Sequence, residues 1–265
     1  MPARDATAQL LILGGTAEAA ALAVETLRRF GAAVSVTTAL AGRTEHPAPL
    51  PGRVRLGGFG GAEGLAAYLA AEGVDCLIDA THPFAAQISA QAAAAADAAG
   101  VPRLVLWRPP WQRHPLDRWI EVGDLAGAAD VLPRLGRRVF LTVGRRELGA
   151  FAALTQHHFL VRLVDPPDAP LPLASAELLL RRGPFNLAEE RRILERHAIE
   201  VLVAKASGGE ATEPKLIAAR ERGLPVVMVR RPSPPPGERV ESVAAALDWL
   251  AGRLDRPARA SEERG

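Results

Sequence analysis

Short apolar segments alternate with alanine-rich amphipathic segments along most of this 265-residue chain. Segments of the first kind are typical of buried β-strands, and those of the second kind are typical of helices that cover a sheet. Strands that alternate with helices in this way pair in parallel, because the helix carries the chain back to the starting edge. The pattern therefore predicts an α/β fold of parallel sheets flanked by helices.

The predicted elements form two series that are separated by a proline-rich segment. The first series has strands near 8–13, 33–38, 53–56, 74–79 and 103–107, with helices near 17–30, 62–72 and 84–99. The second series has strands near 138–143, 158–164, 200–205 and 225–230, with helices near 124–134, 146–154, 187–197, 212–222 and 241–254. Proline lacks an amide donor and restricts the residue before it, so RPPWQRHP at 108–115 is expected to end the first domain.

We therefore expect a first domain over 1–115 and a second domain over 116–254. The polar tail at 255–265 has too few apolar residues to fold and is expected to be disordered. The pattern leaves open the exact boundary and whether terminal strands cross between the domains. Ligands of open parallel sheets bind beyond the carboxyl ends of the strands, so the polar turns of the two domains are expected to face each other across a cleft.

Composition and charge exclude several classes of protein. The net charge of +2 is too small for nucleic-acid binding, and no apolar run approaches the roughly 20 residues of a membrane span. The first nine residues lack the hydrophobic segment of a signal peptide, so we expect a cytoplasmic protein. We expect no metal site, because closely spaced histidines, cysteines and carboxylates are absent from the sequence. A monomer is the expected oligomeric state.

The turn between the first predicted strand and helix is the first candidate ligand site. It reads LGGTAEA, and its small residues allow backbone amides and the helix N-terminus to approach a phosphate. Gly14, Gly15 and Thr16 are therefore candidate cofactor-binding residues. The strict G-x-G-x-x-G fingerprint is absent, and a tight strand-to-helix turn is the alternative interpretation.

The end of the second predicted strand indicates which dinucleotide would bind. NAD sites commonly place an acid there to bond the adenine ribose, but the sequence contains no acid between Val36 and Thr44. Thr38, Arg43 and Thr44 suit a 2′-phosphate instead, because a guanidinium can pair with a phosphate at two points. We therefore expect NADPH/NADP+ as the cofactor, with a solvated loop as the alternative interpretation of Arg43.

Two further turns of the first domain contain candidate residues. The GGFGG turn offers Gly58 and Phe59 to the cofactor, or serves only as a structural turn. The DATHPF turn follows the fourth strand, where polar side chains can line a nicotinamide pocket. Thr81 and His82 are therefore candidates for cofactor binding and for catalysis, because a histidine can donate a proton. A lone histidine more often forms a structural hydrogen bond.

The second domain has two turns that suit anions. One turn contains Thr142, Gly144 and Arg145 at the start of a predicted helix, where a cation is unfavourable unless an anion binds nearby. The other turn contains Lys205, Ser207, Gly208, Gly209 and Thr212. Lys205 is one of only two lysines among 32 basic residues, which suggests that its compact ammonium has a specific use. The two turns indicate a substrate with several carboxylates or phosphates.

Eight segments of the chain match, in order, the segments of one enzyme family. They are ILGGT-x-EA at 12–19, GRT at 42–44, GGFGG at 57–61, IDATHPFAAQIS at 78–89, RP-x-W at 108–111, LT-x-GR-x-EL at 141–148, GPF at 183–185 and K-x-SGG-x-x-T-x-x-K-L-x-A-A-R at 205–220. ATHPFA and K-x-SGG are the most specific of these. The chain therefore resembles the precorrin-6A reductase family, with one departure at Ala206, where many relatives are expected to have asparagine.

The resemblance implies two Rossmann-like domains and hydride transfer from NADPH to a tetrapyrrole polycarboxylate. The implied reaction converts precorrin-6A to precorrin-6B in cobalamin biosynthesis, and it agrees with a nucleotide site on the first domain and an anion-rich substrate site on the second. A two-domain sugar-nucleotide transferase and a non-catalytic nucleotide sensor are the alternatives. Whether the macrocycle carries cobalt stays open.

Overall fold

The computed structural model of the chain describes residues 7–41 and 49–254. These residues form two compact units, one from the residues up to Arg108 together with those from Ser233 onward, and one over Pro109–Pro232. Each unit contains a six-stranded parallel sheet flanked by helices, which confirms the predicted α/β class. Across the described residues, no helix has the length and apolar character needed to span a membrane. Arg43, Thr44 and the segment 255–265 lie outside the described residues.

The strands and helices follow the predicted alternation. The strands are β1 (Ala8–Leu13), β2 (Val34–Leu40), β3 (Arg53–Leu56), β4 (Cys76–Asp79), β5 (Arg103–Leu106), β6 (Arg118–Val122), β7 (Arg138–Leu141), β8 (His158–Leu163), β9 (Ala176–Leu180), β10 (Val201–Lys205), β11 (Pro225–Val229) and β12 (Arg239–Val240). The α-helices are α1 (Ala17–Phe30), α2 (Ala62–Ala71), α3 (Ala86–Ala99), α4 (Leu125–Val131), α5 (Leu187–Arg196), α6 (Pro214–Glu221) and α7 (Val243–Leu254). The helix expected near 146–154 is a 3₁₀-helix, Arg145–Phe151.

The two sheets have the same strand order except at the sixth position. The first is β3-β2-β1-β4-β5-β12 and the second is β9-β8-β7-β10-β11-β6, with parallel pairing throughout. When strands are counted within each unit, the first sheet has the Rossmann order 3-2-1-4-5-6, whereas the second sheet reads 4-3-2-5-6-1. The sixth position holds the last strand of the chain in the first sheet and the earliest strand of the second unit in the other.

This arrangement corrects the expected domain boundaries. Residues 233–254 belong to the first unit rather than the second, because β12 pairs with β5 and α7 packs beside α1. On α7, Ala246 and Leu250 are buried in the same hydrophobic core as Leu22 of α1. The segment 109–115, which was assigned to the first domain, belongs to the second unit. The chain therefore crosses between the units twice.

Apolar side chains cover both faces of the first sheet. Ile12 of β1 packs with α1 and α7, whereas its neighbour Leu11 packs with α2 and α3. Successive side chains of a strand point to opposite faces, so a strand buried on both faces needs a continuous apolar run. In the second unit, Phe140 and Leu202 pack against α5 and α6. This double coverage leaves the carboxyl ends of the strands, with their turns, as the polar edge of each sheet.

Candidate functional site

The turn between β1 and α1 is joined to the turn that follows β4. Thr16 is the N-cap of α1, and its Oγ1 accepts a hydrogen bond from the Ala19 N–H at 3.1 Å. The same hydroxyl donates to the Ala80 carbonyl at 2.8 Å. Its proton is therefore committed to the protein. What this turn offers an anion is the set of backbone amides in the first turn of α1, which have no partner within the helix.

The two glycines of this turn are required for different reasons. A Cβ on Gly14 would lie 2.9 Å from Thr38 Cγ2, so this position needs glycine to pack against β2. Gly15 has φ of +106°, which L-residues rarely adopt, and a Cβ there would have no described atom within 4 Å. The open space beside Gly15 and the N-terminus of α1 fits a phosphate group of a dinucleotide.

Thr38, which we expected to bind the cofactor, lies beneath the β1–α1 turn. This side chain is fully buried, and its Oγ1 has no hydrogen-bond partner among the described residues. Its methyl group packs beneath Gly14. Thr38 therefore shapes the β1–α1 turn from below and presents no surface to a ribose.

Arg55 organises the GGFGG turn after β3. Its guanidinium donates to the carbonyls of Gly57 at 2.8 Å and Gly58 at 3.0 Å, and lies 4.0 Å from the centroid of the Phe59 ring. The Phe59 ring also meets Tyr68 edge-on at 5.1 Å. Sequence analysis missed Arg55, although a cation four residues before an aromatic ring was the signal that could have found it.

A buried carboxylate anchors the turn after β4. Asp79 Oδ1 accepts from the Thr81 backbone N–H at 3.1 Å and from the Thr81 hydroxyl at 2.7 Å. Asp79 Oδ2 is buried and has no partner among the described residues. An ionised carboxylate only accepts, so Ser89, whose Oγ lies 3.2 Å from Thr81 Oγ1, donates to Thr81. The Thr81 oxygen keeps one lone pair for a ligand donor.

His82 is oriented by its own turn. The Phe84 backbone N–H donates to His82 Nδ1 at 3.2 Å, so the neutral ring carries its proton on Nε2. The rings of His82 and Phe84 also contact each other, with centroids 5.8 Å apart. Both Thr81 and His82 are partly exposed. A neutral His82 can therefore donate a proton only from Nε2.

An ion pair that sequence analysis missed lies at the start of α1. Glu18, in the first turn of the helix, pairs with Arg108, and the two side chains are 24% and 13% exposed. A carboxylate at this position interacts favourably with the helix dipole but repels a phosphate that binds there. Arg108 offsets that negative charge. Arg108 begins the RP-x-W segment shortly after β5, and this position was the sequence feature that could have identified it.

The two anion-type turns of the second unit contact each other. Lys205 Nζ donates to both carboxylate oxygens of Glu147, at 2.8 and 2.9 Å. Glu147 also accepts the Gly144 backbone N–H at 2.6 Å. Thr142, which precedes this turn, donates its hydroxyl to the Val203 carbonyl at 2.9 Å. The structure thus brings the predicted residues together, but the Lys205 ammonium is paired with a carboxylate of the same unit.

Arg145 and Lys215, near these turns, also have partners within the second unit. Arg145 Nη1 lies 2.7 Å from Asp168 Oδ2 in an exposed ion pair. Lys215 Nζ donates to the Thr212 carbonyl at 2.7 Å and lies 5.0 Å from the centroid of the Trp111 ring. Lys205, Arg145 and Lys215 are therefore all held by groups of the second unit, which the sequence did not indicate.

The turn formed by residues 207–209, which we call the SGG turn, is packed tightly. Gly208 has φ of +68°, and a Cβ there would lie 2.1 Å from the Pro109 carbonyl oxygen. The Gly209 carbonyl accepts from Trp111 Nε1 at 2.9 Å, and Ser207 is buried. These glycines therefore allow the proline-rich segment 109–111 to lie against the turn, in addition to any contact with a ligand.

A buried ion pair supports the neighbouring GPF turn. Arg162 of β8 pairs with the fully buried Glu190 of α5, and its guanidinium lies 3.8 Å from the Phe185 ring centroid. Burial lowers the pKa of Arg162 below its ordinary value, although Glu190 opposes the shift. The Phe185 N–H donates to the Ala211 carbonyl, so the pair indirectly fixes the SGG turn.

Comparison with known proteins points to a single family. The family described as precorrin-6x reductase CbiJ/CobK matches residues 9–251. The precorrin-6A reductase of Rhodococcus erythropolis is 51% identical over 94% of this chain and 99% of its own length. That of Rhodobacter capsulatus is 46% identical, with 92% and 96% covered. A solved structure described as CobK precorrin-6A reductase has a TM-score of 0.89 at 45% identity, covering 95% of this chain and 99% of that one.

Proposed function

Because this chain belongs to the precorrin-6x reductase family, we propose that it reduces precorrin-6A to precorrin-6B with NADPH, in cobalamin biosynthesis. The observation that carries the proposal is the polar edge of the first sheet. There the Thr16 hydroxyl joins the glycine turn before α1 to the turn that contains Thr81 and His82. One turn suits a dinucleotide phosphate, and the other presents hydrogen-bonding groups beside it.

We assign NADPH to the first unit. The proposed cofactor-binding residues are Gly14, Gly15, Thr16 through its backbone, Arg43, Thr44, Gly58, Phe59, Thr81 and His82. Arg43 and Thr44 receive the 2′-phosphate, because the second strand leads to a guanidinium and hydroxyls instead of an acid. NADPH supplies the hydride when it is bound, and the protein supplies orientation and electrostatics.

Thr81 and His82 orient the reacting groups. Asp79 and Ser89 fix the Thr81 hydroxyl with its proton toward Asp79, so its oxygen accepts from a ligand N–H such as that of a carboxamide. Reduction also requires a proton, and His82 Nε2–H is the proposed donor in this turn. Orientation is expected to contribute more than acid catalysis, because a small displacement of the reacting atoms lowers the rate steeply.

We assign the tetrapyrrole to the second unit. The proposed substrate-binding residues are Thr142, Gly144, Arg145, Lys205, Ser207, Gly208, Gly209 and Thr212. Because Lys205 and Arg145 are paired with carboxylates, we expect backbone amides of the two turns to contact the substrate while the ion pairs hold the turns in place.

The test is a reductase assay with purified protein, NADPH and precorrin-6A, with cobalt-precorrin-6A in parallel. We expect loss of the absorbance of the reduced nicotinamide and a product heavier than the substrate by two hydrogens. NADH serves as the comparison cofactor and should support slower turnover. Absence of NADPH oxidation with either macrocycle would overturn the proposal.

A further inference from the structure

The second unit contains a cavity at the corner of its sheet where β6, β11 and the end of β10 meet. The cavity has a volume of about 380 Å³, and all of its lining residues belong to this unit. We call it the β6 cavity, after the edge strand that supplies Trp119 and Glu121 to its wall. The proline-rich segment also contributes to the lining, through Trp111 and Arg113.

The lining combines flat apolar surfaces with positive charge. Trp111 and Trp119 supply two indole rings, and Arg113, Arg230 and Arg231 supply three guanidiniums. Glu121 is the one carboxylate in this lining. Aromatic rings bind flat ligands, and guanidiniums pair with carboxylates at two points. The β6 cavity therefore suits a flat ring that carries carboxylates.

Hydrogen bonds hold two parts of this wall in place. Trp111 Nε1 donates to the Gly209 carbonyl at 2.9 Å, so its ring is fixed against the SGG turn. Arg231 Nε donates to the Ala206 carbonyl at 2.8 Å. Both anchors are backbone groups of the segment that follows β10. The β6 cavity is thereby continuous with the turn already assigned to the substrate.

Arg113 and Arg230 differ from the cations of this unit that are paired with carboxylates. Lys205 pairs with Glu147, Arg145 with Asp168 and Arg191 with Glu221. In the described part of the chain, neither Arg113 nor Arg230 forms an ion pair or a side-chain hydrogen bond, and both are exposed. The β6 cavity therefore has two guanidiniums whose charge no ion pair among the described residues offsets.

We propose that the β6 cavity binds one pyrrole ring of the tetrapyrrole, with its carboxylate arms paired to Arg113 and Arg230; this inference rests on the proposed function. The volume is near the lower limit for a small-molecule pocket, so it holds one edge of the macrocycle rather than the whole. A nucleotide also combines a flat ring with negative charge, but the first unit already supplies a dinucleotide-type turn. Affinity for NADPH separates the two ligands.

The test compares three variants with the wild-type enzyme, using precorrin-6A and NADPH. Arg113→Ala/Arg230→Ala should lower kcat/KM for precorrin-6A by about tenfold or more, while the Kd for NADPH stays within about twofold. Glu121→Gln should lower KM about twofold, because it removes a charge that repels carboxylates. The matched control, Arg192→Ala/Arg196→Ala, removes the same charge from exposed positions of α5 and should change neither value.

Opposite effects of the arginine and glutamate variants on KM would support the proposal, because a general loss of structure cannot lower KM. An unchanged kcat/KM in the double arginine variant, with an active wild-type enzyme, would overturn this inference and leave the proposed function intact. Weaker NADPH binding with an unchanged KM would overturn it in favour of a nucleotide. A wild-type enzyme that does not turn over precorrin-6A would overturn the proposed function and this inference with it.

Discussion

The two units share the order of five strands of their sheets but differ in the chemistry of the turns that follow these strands. In the first unit, these turns carry glycines, hydroxyls and the buried carboxylate of Asp79. In the second unit, they carry Lys205 and Arg145, each paired with a carboxylate of the same unit. The guanidiniums of Arg113 and Arg230, which form no ion pair within the described part of the chain, lie beside the edge strand β6.

This difference shows that similar parallel sheets determine where the turns lie but do not determine which charged side chains can pair with a ligand. A parallel sheet brings the carboxyl ends of its strands to one edge in both units. Whether a cation there attracts a ligand depends on the side chains that neighbouring segments bring to it. In the second unit, the segment after β7 supplies Glu147 to Lys205.

Replacing Gly208 and Gly15 by alanine should show that Gly208 is needed for packing, whereas Gly15 faces the space proposed for the ligand. Gly208→Ala places a Cβ 2.1 Å from the Pro109 carbonyl oxygen at φ of +68°, so the backbone must shift. We expect a loss of about 3 kcal/mol or more in the free energy of unfolding. Gly15→Ala meets open space and should cost about 1 kcal/mol, from its φ of +106°.

Urea unfolding of both variants measures this difference. Gly15→Ala should also weaken NADPH binding, which isothermal titration measures directly. Equal losses of stability for the two variants would contradict the packing role of Gly208.

A double-mutant cycle at Lys205 and Glu147 should separate support of the turn from substrate binding. The two side chains are 15% and 29% exposed, so each single change leaves a partly buried partner unpaired. We expect a coupling of about 1–2 kcal/mol in the free energy of unfolding between Lys205→Ala and Glu147→Gln. Lys205→Ala should lower kcat/KM for the tetrapyrrole and leave the Kd for NADPH nearly unchanged.

Additive effects on stability in this cycle would show that the ion pair does not support the turn. Weaker NADPH binding in Lys205→Ala, with normal tetrapyrrole binding, would reverse the assignment of ligands to the two units.

Arg43→Ala should weaken the binding of NADPH and leave the binding of NADH unchanged. A guanidinium that pairs with the 2′-phosphate contributes to NADPH binding and not to NADH binding, so the Kd for NADPH should rise about tenfold or more. The Kd for NADH should stay unchanged, which serves as the internal control. Equal losses for both cofactors in a titration would show that Arg43 does not contact the 2′-phosphate.

In both units a carboxylate accepts backbone N–H groups near the amino ends of the strands, away from the candidate site. Asp75 accepts the Gln9 backbone N–H at 2.8 Å, and Glu200 accepts those of Arg138 at 3.0 Å and Arg137 at 2.6 Å. These hydrogen bonds, that from Arg138 first, hold the pKa of Glu200 below its ordinary value of 4.5. The carboxylate therefore stabilises the fold above that value, and the stabilisation is lost as pH falls through the folded-state pKa.

Because Glu200 is exposed, Glu200→Gln should lower the free energy of unfolding by less than about 1 kcal/mol at neutral pH. The difference from wild type should shrink as the pH falls below the ordinary value of 4.5. Thermal melts over a pH series measure it. A difference that grows on acidification would show that the ionised carboxylate does not stabilise the fold.

The fold was predictable where a strand is buried on both faces. Such strands carry continuous apolar runs, and β1, β2, β4 and β5 of the first unit were all predicted. The three missed strands, β6, β9 and β12, are edge strands with mostly exposed or partly buried residues, so they lack that pattern. The sequence also did not predict that residues 233–254 belong to the first unit, because β12 has only two residues.

The sequence predicted which turns form the candidate site, but it did not predict the hydrogen bonds within them. Glycine and hydroxyl clusters after strands located the turns, because the end of a parallel strand must be followed by polar residues. Hydrogen-bond partners were not predictable, since they come from distant positions such as Ala80 for Thr16. The Trp119 and Arg230 of the β6 cavity belong to no motif and were missed for the same reason.

The central claim is that NADPH binds the first unit and the tetrapyrrole binds the second. Hydrogen–deuterium exchange of the full chain, with NADP+ alone and with precorrin-6A alone, measures this most directly. We expect NADP+ to protect the backbone amides at 13–20 and 79–86, and precorrin-6A to protect those at 142–148, 205–212 and 228–231. Protection of the second set by NADP+, with no protection of the first, would contradict the account.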